Sequence, residues 1–470
     1  MKDGYIRVAA GSFDTSIANV TNNSKNIIKL IDQAYQNQTK VLVLPELCLT
    51  GYTCEDLFNQ ERLLNEAKKQ LQIIIDYTAD KDIVVIIGLP YQHLNSLYNV
   101  AAIIHQGELL ALVPKTHIPN YQEFYEARRF EKAPEKNITT NFNGKTIPFG
   151  TKFIFASTTN PDFKFGVEIC EDLWMPDAPS IDLALNGANM IFNPSASNEI
   201  TTKSDYRRSL VSLQSAKLVC GYVYCNAGDG ESTTDVVFSG HHIIAENGTI
   251  INESQGFTSE MIYGDLDLKK LSSERRKMTT FKSLHDYDVI YFDSTDVDLD
   301  TNYYYDPHPF VPSDSNLRAK RCKEVFDIQT RALMQRLKAT GIKKVVIGIS
   351  GGLDSTLALL VCTMAFKQLN YDSKDIIAIT MPCFGTTSRT KNNALGLMEE
   401  LNVTSLEIDI ADSVRVQFRD IEQDENVHDV TYENVQARTR TEILMNKANQ
   451  VGGLVIGTGD LSEVALGWST

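Results

Sequence analysis

Up to about residue 265, short apolar runs alternate with longer amphipathic stretches. Ile6–Ala10, Val41–Pro45, Ile83–Leu89, Tyr98–Ile104, Phe165–Cys170, Met190–Asn193 and Val219–Asn226 have the length and composition of strands. Between them lie helical patterns. In Ser24–Asn37 the residues Ile27, Ile28, Ile31, Ala34 and Tyr35 share one face behind Asn and Ser capping candidates. Ile104–Leu109 and Ala245–Ile250 read as hairpins, the second turning on Asn247-Gly248. Together these predict a mixed sheet covered by helices. Between 265 and 312 the pattern weakens into Ser273, the acidic Asp293–Asp300, Tyr303-Tyr304-Tyr305 and Asp306-Pro307-His308-Pro309, the composition of a crossing linker. From Leu317 a helix leads to the strand Val345–Ile349, and Ile376–Met381 and Gly453–Gly457 add further strands, as in a parallel doubly wound sheet. The expected organisation is α/β throughout: a first domain over 1–270, a linker over 271–315 and a second domain over 316–470.

A chain of 470 residues exceeds the usual size of one domain, which agrees with this division. The formal net charge of −15 argues against a nucleic-acid backbone as partner, and Arg275-Arg276-Lys277 is too short to offset it. No apolar run approaches the roughly 20 residues that span a bilayer. The start Met1-Lys2-Asp3-Gly4 lacks the apolar core of a signal peptide, so the expected location is the cytoplasm. Eight cysteines occur without CxxC pairs, which speaks against a disulfide scaffold and for buried thiols.

Chemistry concentrates first in Ser350-Gly351-Gly352-Leu353-Asp354-Ser355, set between a strand and a helix. Glycines let backbone N–H groups approach an oxyanion, Ser350 and Ser355 add hydroxyl donors, and the helix N-terminus favours negative charge. The lysine of a GxxxxGK[ST] loop is missing. In its place Asp354 supplies a carboxylate suited to Mg²⁺ beside a pyrophosphate. A lone Gly-Gly pair is more often a plain turn, but all six residues in this setting favour phosphate. SGGxDS resembles the loop of the N-type ATP pyrophosphatases, which split ATP into AMP and pyrophosphate. That resemblance implies ATP binding by Gly348, Ile349, Ser350, Gly351, Gly352, Leu353, Asp354 and Ser355, with Mg²⁺ at Asp354.

In the first domain Leu44-Pro45-Glu46, Val113-Pro114-Lys115 and Val167–Asp172 each close a predicted strand, where active sites gather. A cysteine needs thiolate character to attack an amide, a lysine can stabilise thiolate and oxyanion, and a glutamate can carry the proton to ammonia. Singly, Cys170 is a buried thiol, Lys115 a loop charge and Glu46 a helix cap. In this order, with Pro45–Tyr52 reading Pro-Glu-x-x-x-x-Gly-Tyr, Lys115-Thr116-His117-Ile118-Pro119-Asn120-Tyr121, and Ile169-Cys170-Glu171-Asp172-Leu173-Trp174, the set resembles the nitrilase/amidase superfamily. The resemblance covers residues 5 to 265. It implies an αββα sandwich with Glu46 as base, Lys115 as oxyanion stabiliser, Cys170 as nucleophile and Glu123 as a supporting glutamate. Residue 2 is Lys, and Cys170 lacks flanking glycines, which disfavours other glutaminase types. His241 and His242 are expected to be sheet or surface histidines rather than partners of a cysteine.

The two halves together resemble the glutamine-dependent NAD⁺ synthetases. By that resemblance one domain releases ammonia from glutamine, and the other adenylates the nicotinate carboxylate of deamido-NAD⁺ with ATP and Mg²⁺. Ammonia then travels through an internal tunnel, and the assembly is a homo-oligomer. Tyr121, Glu171, Ser197 and Lys203 are implied as glutamine-binding. Tyr432–Arg440 resembles the family's ENxQAR helix, which implies dinucleotide contacts at Asn434 and Arg438. Gly457–Glu463 resembles GTxDxSE, which implies ATP at Thr458 and metal or dinucleotide at Glu463, with Trp468, Ser469 and Thr470 also on the dinucleotide. The loop from Met381 to Ser388 is expected to border the adenylate. Members of this family continue well beyond Thr470, so the expectation is an intact first half and an incomplete second. The competing reading is a stand-alone carbon–nitrogen hydrolase whose second domain only senses nucleotide.

Overall fold

In the computed structural model, which describes residues 2–232, 235–295, 298–385 and 388–467, the chain divides into two units, Met1–Tyr305 and Asp306–Thr470. The first holds two sheets. One has eight strands in the order Met261–Asp267, Tyr5–Gly11, Val41–Val43, Val84–His93, Ser96–His105, Glu108–Pro114, Lys145–Phe149 and Ile138–Phe142. The other has seven, in the order Thr249–Glu253, Ile243–Glu246, Gly221–Asn226, Met190–Ser195, Lys164–Val167, Phe153–Ser157 and Asp288–Phe292.

Alternation along each strand sends neighbouring residues to opposite faces. Val8, Val41, Val43, Val84 and Ile86 point inward and meet Phe155, Phe165, Val167, Phe192 and Val223 of the second sheet in one buried cluster. Their neighbours Ala9, Leu42, Val85 and Ile87 point outward onto the helices Val20–Gln36 and Glu61–Tyr77. The second sheet is backed in the same way by Pro179–Leu185 and Lys203–Leu218. Burial on both faces explains why the strands read as continuous apolar runs, and the layering is αββα.

The expected linker over 271–315 differs from the structure. Leu268–Lys277 is a helix, and Asp288–Phe292 adds a parallel edge strand beside Phe153–Ser157. The stretch after that strand is fastened to the first unit. Asp82 accepts from the Thr295 N–H at 2.8 Å, Asp265 from the Asn302 N–H at 2.7 Å, and Glu246 from the Tyr303 hydroxyl at 2.7 Å. An edge strand exposes one face, so its pattern is too weak to stand out among charges.

In the second unit four parallel strands take the order Thr404–Glu407, Ile376–Thr380, Val345–Gly348, Leu454–Ile456. The chain moves outward from Val345–Gly348 on one side and returns on the other for its last strand. That reversal opens a crevice at the carboxyl end of Val345–Gly348, the usual ligand position in doubly wound sheets. No helix among the described residues is long and apolar enough to cross a membrane.

One glycine sets how closely the loop carrying Glu46 can approach the first sheet. A Cβ on Gly88 would lie 2.2 Å from the Leu47 nitrogen and 2.5 Å from the Pro45 oxygen, because the backbone carrying Glu46 crosses directly over it. Gly88→Ala is therefore predicted to destabilise the first unit by about 1–3 kcal/mol, measured as a lower unfolding midpoint for the transition that this unit contributes.

Candidate active site

Glu46 follows the strand Val41–Val43 and is 1% exposed. Its Oε1 accepts from Asn99 Nδ2 and Lys115 Nζ, both at 2.6 Å, and its Oε2 accepts from the Ala196 N–H at 2.8 Å. Lys115, at the end of Glu108–Pro114, is fully buried. Burial alone would favour the neutral amine, but the charges of Glu126 and Glu46 outweigh it and hold the ammonium well above the ordinary lysine range. Its Nζ also donates to Glu126 Oε1 at 2.7 Å.

The second glutamate beside Lys115 is Glu126, not Glu123. The loop reverses at Gln122, which takes φ +50°, and the following helical turn Glu126–Arg128 carries Glu126 back to the lysine. Glu123 instead accepts from Asn198 Nδ2. Tyr52, the last residue of the Pro-Glu-x-x-x-x-Gly-Tyr stretch, donates to Glu126 Oε1 at 2.8 Å. Glu126 Oε2 is buried and has no hydrogen-bond partner among the described residues. Burial, augmented by Glu46 and opposed by Lys115, pushes the Glu126 carboxyl up to about 7. In the sequence the two glutamates are three positions apart, and no periodicity separates them.

Cys170 opens the helical turn Cys170–Trp174 with φ +45°, a left-handed conformation uncommon for a residue with a Cβ. Its N–H donates to Asn193 Oδ1 at 2.9 Å. Burial and then Glu46 push the thiol well above its ordinary value, against Lys115. The resting thiol is therefore protonated, and attack requires a base.

Cys170 and Glu126 line a cavity of about 320 Å³ that also gathers Tyr121, Glu171, Ser197 and Lys203. The Tyr121 hydroxyl donates to Glu171 Oε1 at 2.8 Å, and Lys203 Nζ donates to Asn198 Oδ1 at 2.6 Å. Lys203 also lies over the Trp174 ring, 5.4 Å from its centroid. Its pKa is lowered, chiefly by burial. His241 and His242 are both buried, correcting the surface expectation, and neither lines this cavity. His241 is held by Arg207 and Glu253, and His242 by Ser12 and the Asn226 N–H.

In the second unit Gly351 has φ +84°, and a Cβ there would sit 2.2 Å from the Thr390 oxygen, so both conformation and space require glycine. Ser355 Oγ accepts from the Ser350 N–H at 3.3 Å and lies 3.2 Å from Ser350 Oγ. A cavity of about 590 Å³ is lined by Gly348, Ile349, Ser350, Ser355 and Thr458. Gly351, Gly352, Leu353 and Asp354 are not on its wall, and the side chains of Leu353 and Asp354 are exposed. Met381 and Gly385 border it, while Thr386 and Thr387 lie outside the described residues. The helix Val430–Val451 presents Tyr432, Gln436 and Arg440 to this cavity, one turn apart. Asn434 and Arg438 do not line this cavity. Glu463 caps its own helix, Oε2 accepting from the Asp460 N–H at 2.7 Å. Trp468, Ser469 and Thr470 lie outside the described residues. Among the described residues no group of three or more His, Cys, Asp or Glu side chains is arranged to hold a metal ion.

The contrast between the two glutamates is measurable as ammonia release from glutamine. Glu126→Gln is expected to lower kcat by about 100-fold. Glu123→Gln, at a residue that lines the cavity but is bonded to Asn198 rather than to Lys115, is expected to keep kcat within about tenfold of the unaltered chain.

Residues 7–276 match the carbon-nitrogen hydrolase family and residues 325–470 the NAD synthase family. The chain is 40% identical to the glutamine-dependent NAD(+) synthetase of Mycobacterium bovis, over 99% of this chain and 71% of that protein. It is 28% identical to that of Aquifex aeolicus, over 99% of this chain and 76% of the relative. A solved glutamine-dependent NAD(+) synthetase from Cytophaga hutchinsonii shares the fold at 24% identity, with a TM-score of 0.51, over 99% of this chain and 76% of that one. With a buried Glu-Lys-Cys centre in one unit and a glycine-rich crevice in the other, the chain belongs to the glutamine-dependent NAD(+) synthetase family.

Proposed function

We propose that this chain converts deamido-NAD⁺ to NAD⁺ with ATP, using ammonia that it takes from glutamine. The observation that carries this reading is the buried Lys115 ammonium held at 2.6 Å from Glu46 and 2.7 Å from Glu126, with Glu126 sharing a cavity wall with Cys170. Glutamine enters the cavity with its amide beside Cys170. Glu46 takes the thiol proton as sulfur attacks the amide carbon. The developing oxyanion is stabilised by the Lys115 ammonium. Collapse breaks the C–N bond, Glu46 returns the proton to the leaving ammonia, and a glutamyl thioester remains on Cys170. Water activated by Glu46 then releases glutamate and restores the thiol. A positioned base of this kind contributes about 10²–10⁴-fold.

In the second unit the Ser350–Ser355 loop is suited to the triphosphate of ATP. Attack of the nicotinate carboxylate on the α-phosphorus expels pyrophosphate, and ammonia then displaces AMP to form the amide. Gly351, Gly352, Leu353 and Thr458 would shape the nucleotide site, with Asn434, Arg438 and Trp468–Thr470 on the dinucleotide. Mg²⁺ fits the donor chemistry of Asp354 and Glu463, since it takes one or two carboxylates and completes its shell with phosphate oxygens and water. Bound there, it would neutralise charge on the departing pyrophosphate. Glu463 would have to share its cap with Asp460 to do so. The reading also implies a cytoplasmic homo-oligomer.

The alternative of a plain hydrolase is separated by one variant. Cys170→Ala is expected to abolish amination of deamido-NAD⁺ driven by glutamine, while added ammonium chloride restores NAD⁺ formation. Loss of both, with the protein folded and ATP bound, would contradict the two-step reading.

A further inference from the structure

Glu46 and Lys115 extend from strands of the eight-stranded sheet, whereas Cys170 follows Lys164–Val167 of the seven-stranded one. The separation of ammonium and thiol therefore depends on how loops from two different sheets are registered. Asp172 spans them. Its Oδ1 accepts from the His117 N–H at 2.7 Å, and its Oδ2 accepts from the Ile169 N–H at 2.9 Å and the Thr116 N–H at 3.4 Å. His117 lies two residues past Lys115, and Ile169 immediately precedes Cys170. The carboxylate is 1% exposed and its bond to the Ile169 N–H is buried, so that donor has no solvent to replace it.

Acceptor geometry is why a carboxylate suits this place. A carboxylate only accepts, so both oxygens can face N–H groups; an amide of the same shape would turn a donor toward one of them. Burial raises the carboxyl to about 6, and the Ile169 and His117 N–H groups and the Lys115 charge oppose that rise. The left-handed Cys170 (φ +45°) also costs about 1–3 kcal/mol and persists only where its surroundings hold it. Asp172 holds it from within the same turn, its own N–H returning to the Ile169 oxygen at 3.1 Å.

We propose that Asp172 is a positioning residue for the Cys170 reaction, clamping the backbone just past Lys115 to the backbone just before Cys170 so that ammonium and thiol keep a fixed separation. This rests on the reading of Glu46, Lys115 and Cys170 as an amide-hydrolysing centre. A lost clamp impairs chemistry more than binding, because Ser197 and Lys203 are held by Asn226 and Asn198 rather than by Asp172.

The test uses the full chain with Asp172→Asn and Asp172→Glu, following ammonia release from glutamine and the rate at which iodoacetamide alkylates Cys170. For Asp172→Asn, kcat is expected to fall by about 100-fold with KM within about threefold, and alkylation is expected to slow by at least about tenfold. Asp172→Glu keeps the charge and is expected to fall between Asn and the unaltered chain. A folded variant with unaltered kcat, or one whose loss lies in KM alone, overturns the proposal. Should either variant fail to fold, hydrogen exchange in the unaltered chain decides: the Ile169 and His117 amides are expected to be protected like core strands, and exchange at loop rates overturns the clamp. An unaltered chain that releases no ammonia contradicts the hydrolytic reading instead, which keeps the two failures distinct.

Discussion

The first unit is organised around one buried charge. Lys115 has no exposure to water, and its ammonium is kept only because Glu46 and Glu126 sit at hydrogen-bond distance on either side. Stripping water from such a group is expensive, and removing one partner of a buried pair typically costs about 3–5 kcal/mol. The supporting arrangement stems from that constraint. Asn99 and the Ala196 N–H hold Glu46, Tyr52 holds Glu126, and Gly88 leaves room for the backbone that delivers Glu46. The same charge makes the chemistry possible. A thiol raised by burial and a neighbouring carboxylate is unreactive until its proton leaves, and the Lys115 charge opposes that rise.

Much of this was legible in the sequence, for a physical reason. Strands buried on both faces write long apolar runs, so Val84–His93 and Met190–Ser195 stood out, and Glu46, Lys115 and Cys170 fell at strand ends where loops carry function. What was hidden depends on loop geometry. Glu126 rather than Glu123 reaches Lys115 because of a left-handed residue at Gln122 that no composition announces. Asp288–Phe292 was hidden for another reason: an edge strand with one exposed face loses the apolar signature among its acidic neighbours. The burial of His241 and His242 likewise depends on partners far away in sequence, Arg207 and Ser12.

The second unit repeats the lesson at a helix. The motif Tyr432–Arg440 pointed to Asn434 and Arg438, whereas the helix, advancing about 100° per residue, turns Tyr432, Glu433, Gln436, Arg440 and Leu444 toward the cavity. The glycine loop was simpler to read. Gly351 must be glycine on both conformation and space, and Ser350 beside it lines the cavity at the reversal of strand order.

The proposed chemistry stands or falls on Cys170 attacking the glutamine amide from within the Glu46–Lys115–Glu126 site. A diazoketone analogue of glutamine alkylates whichever side chain attacks it, so peptide mass analysis alongside ammonia release tests this step without intermediaries. One label is predicted, on Cys170 among the eight cysteines, with ammonia release lost in proportion. Full labelling of Cys170 with ammonia release intact, or complete loss of release with the label on another residue, would contradict it.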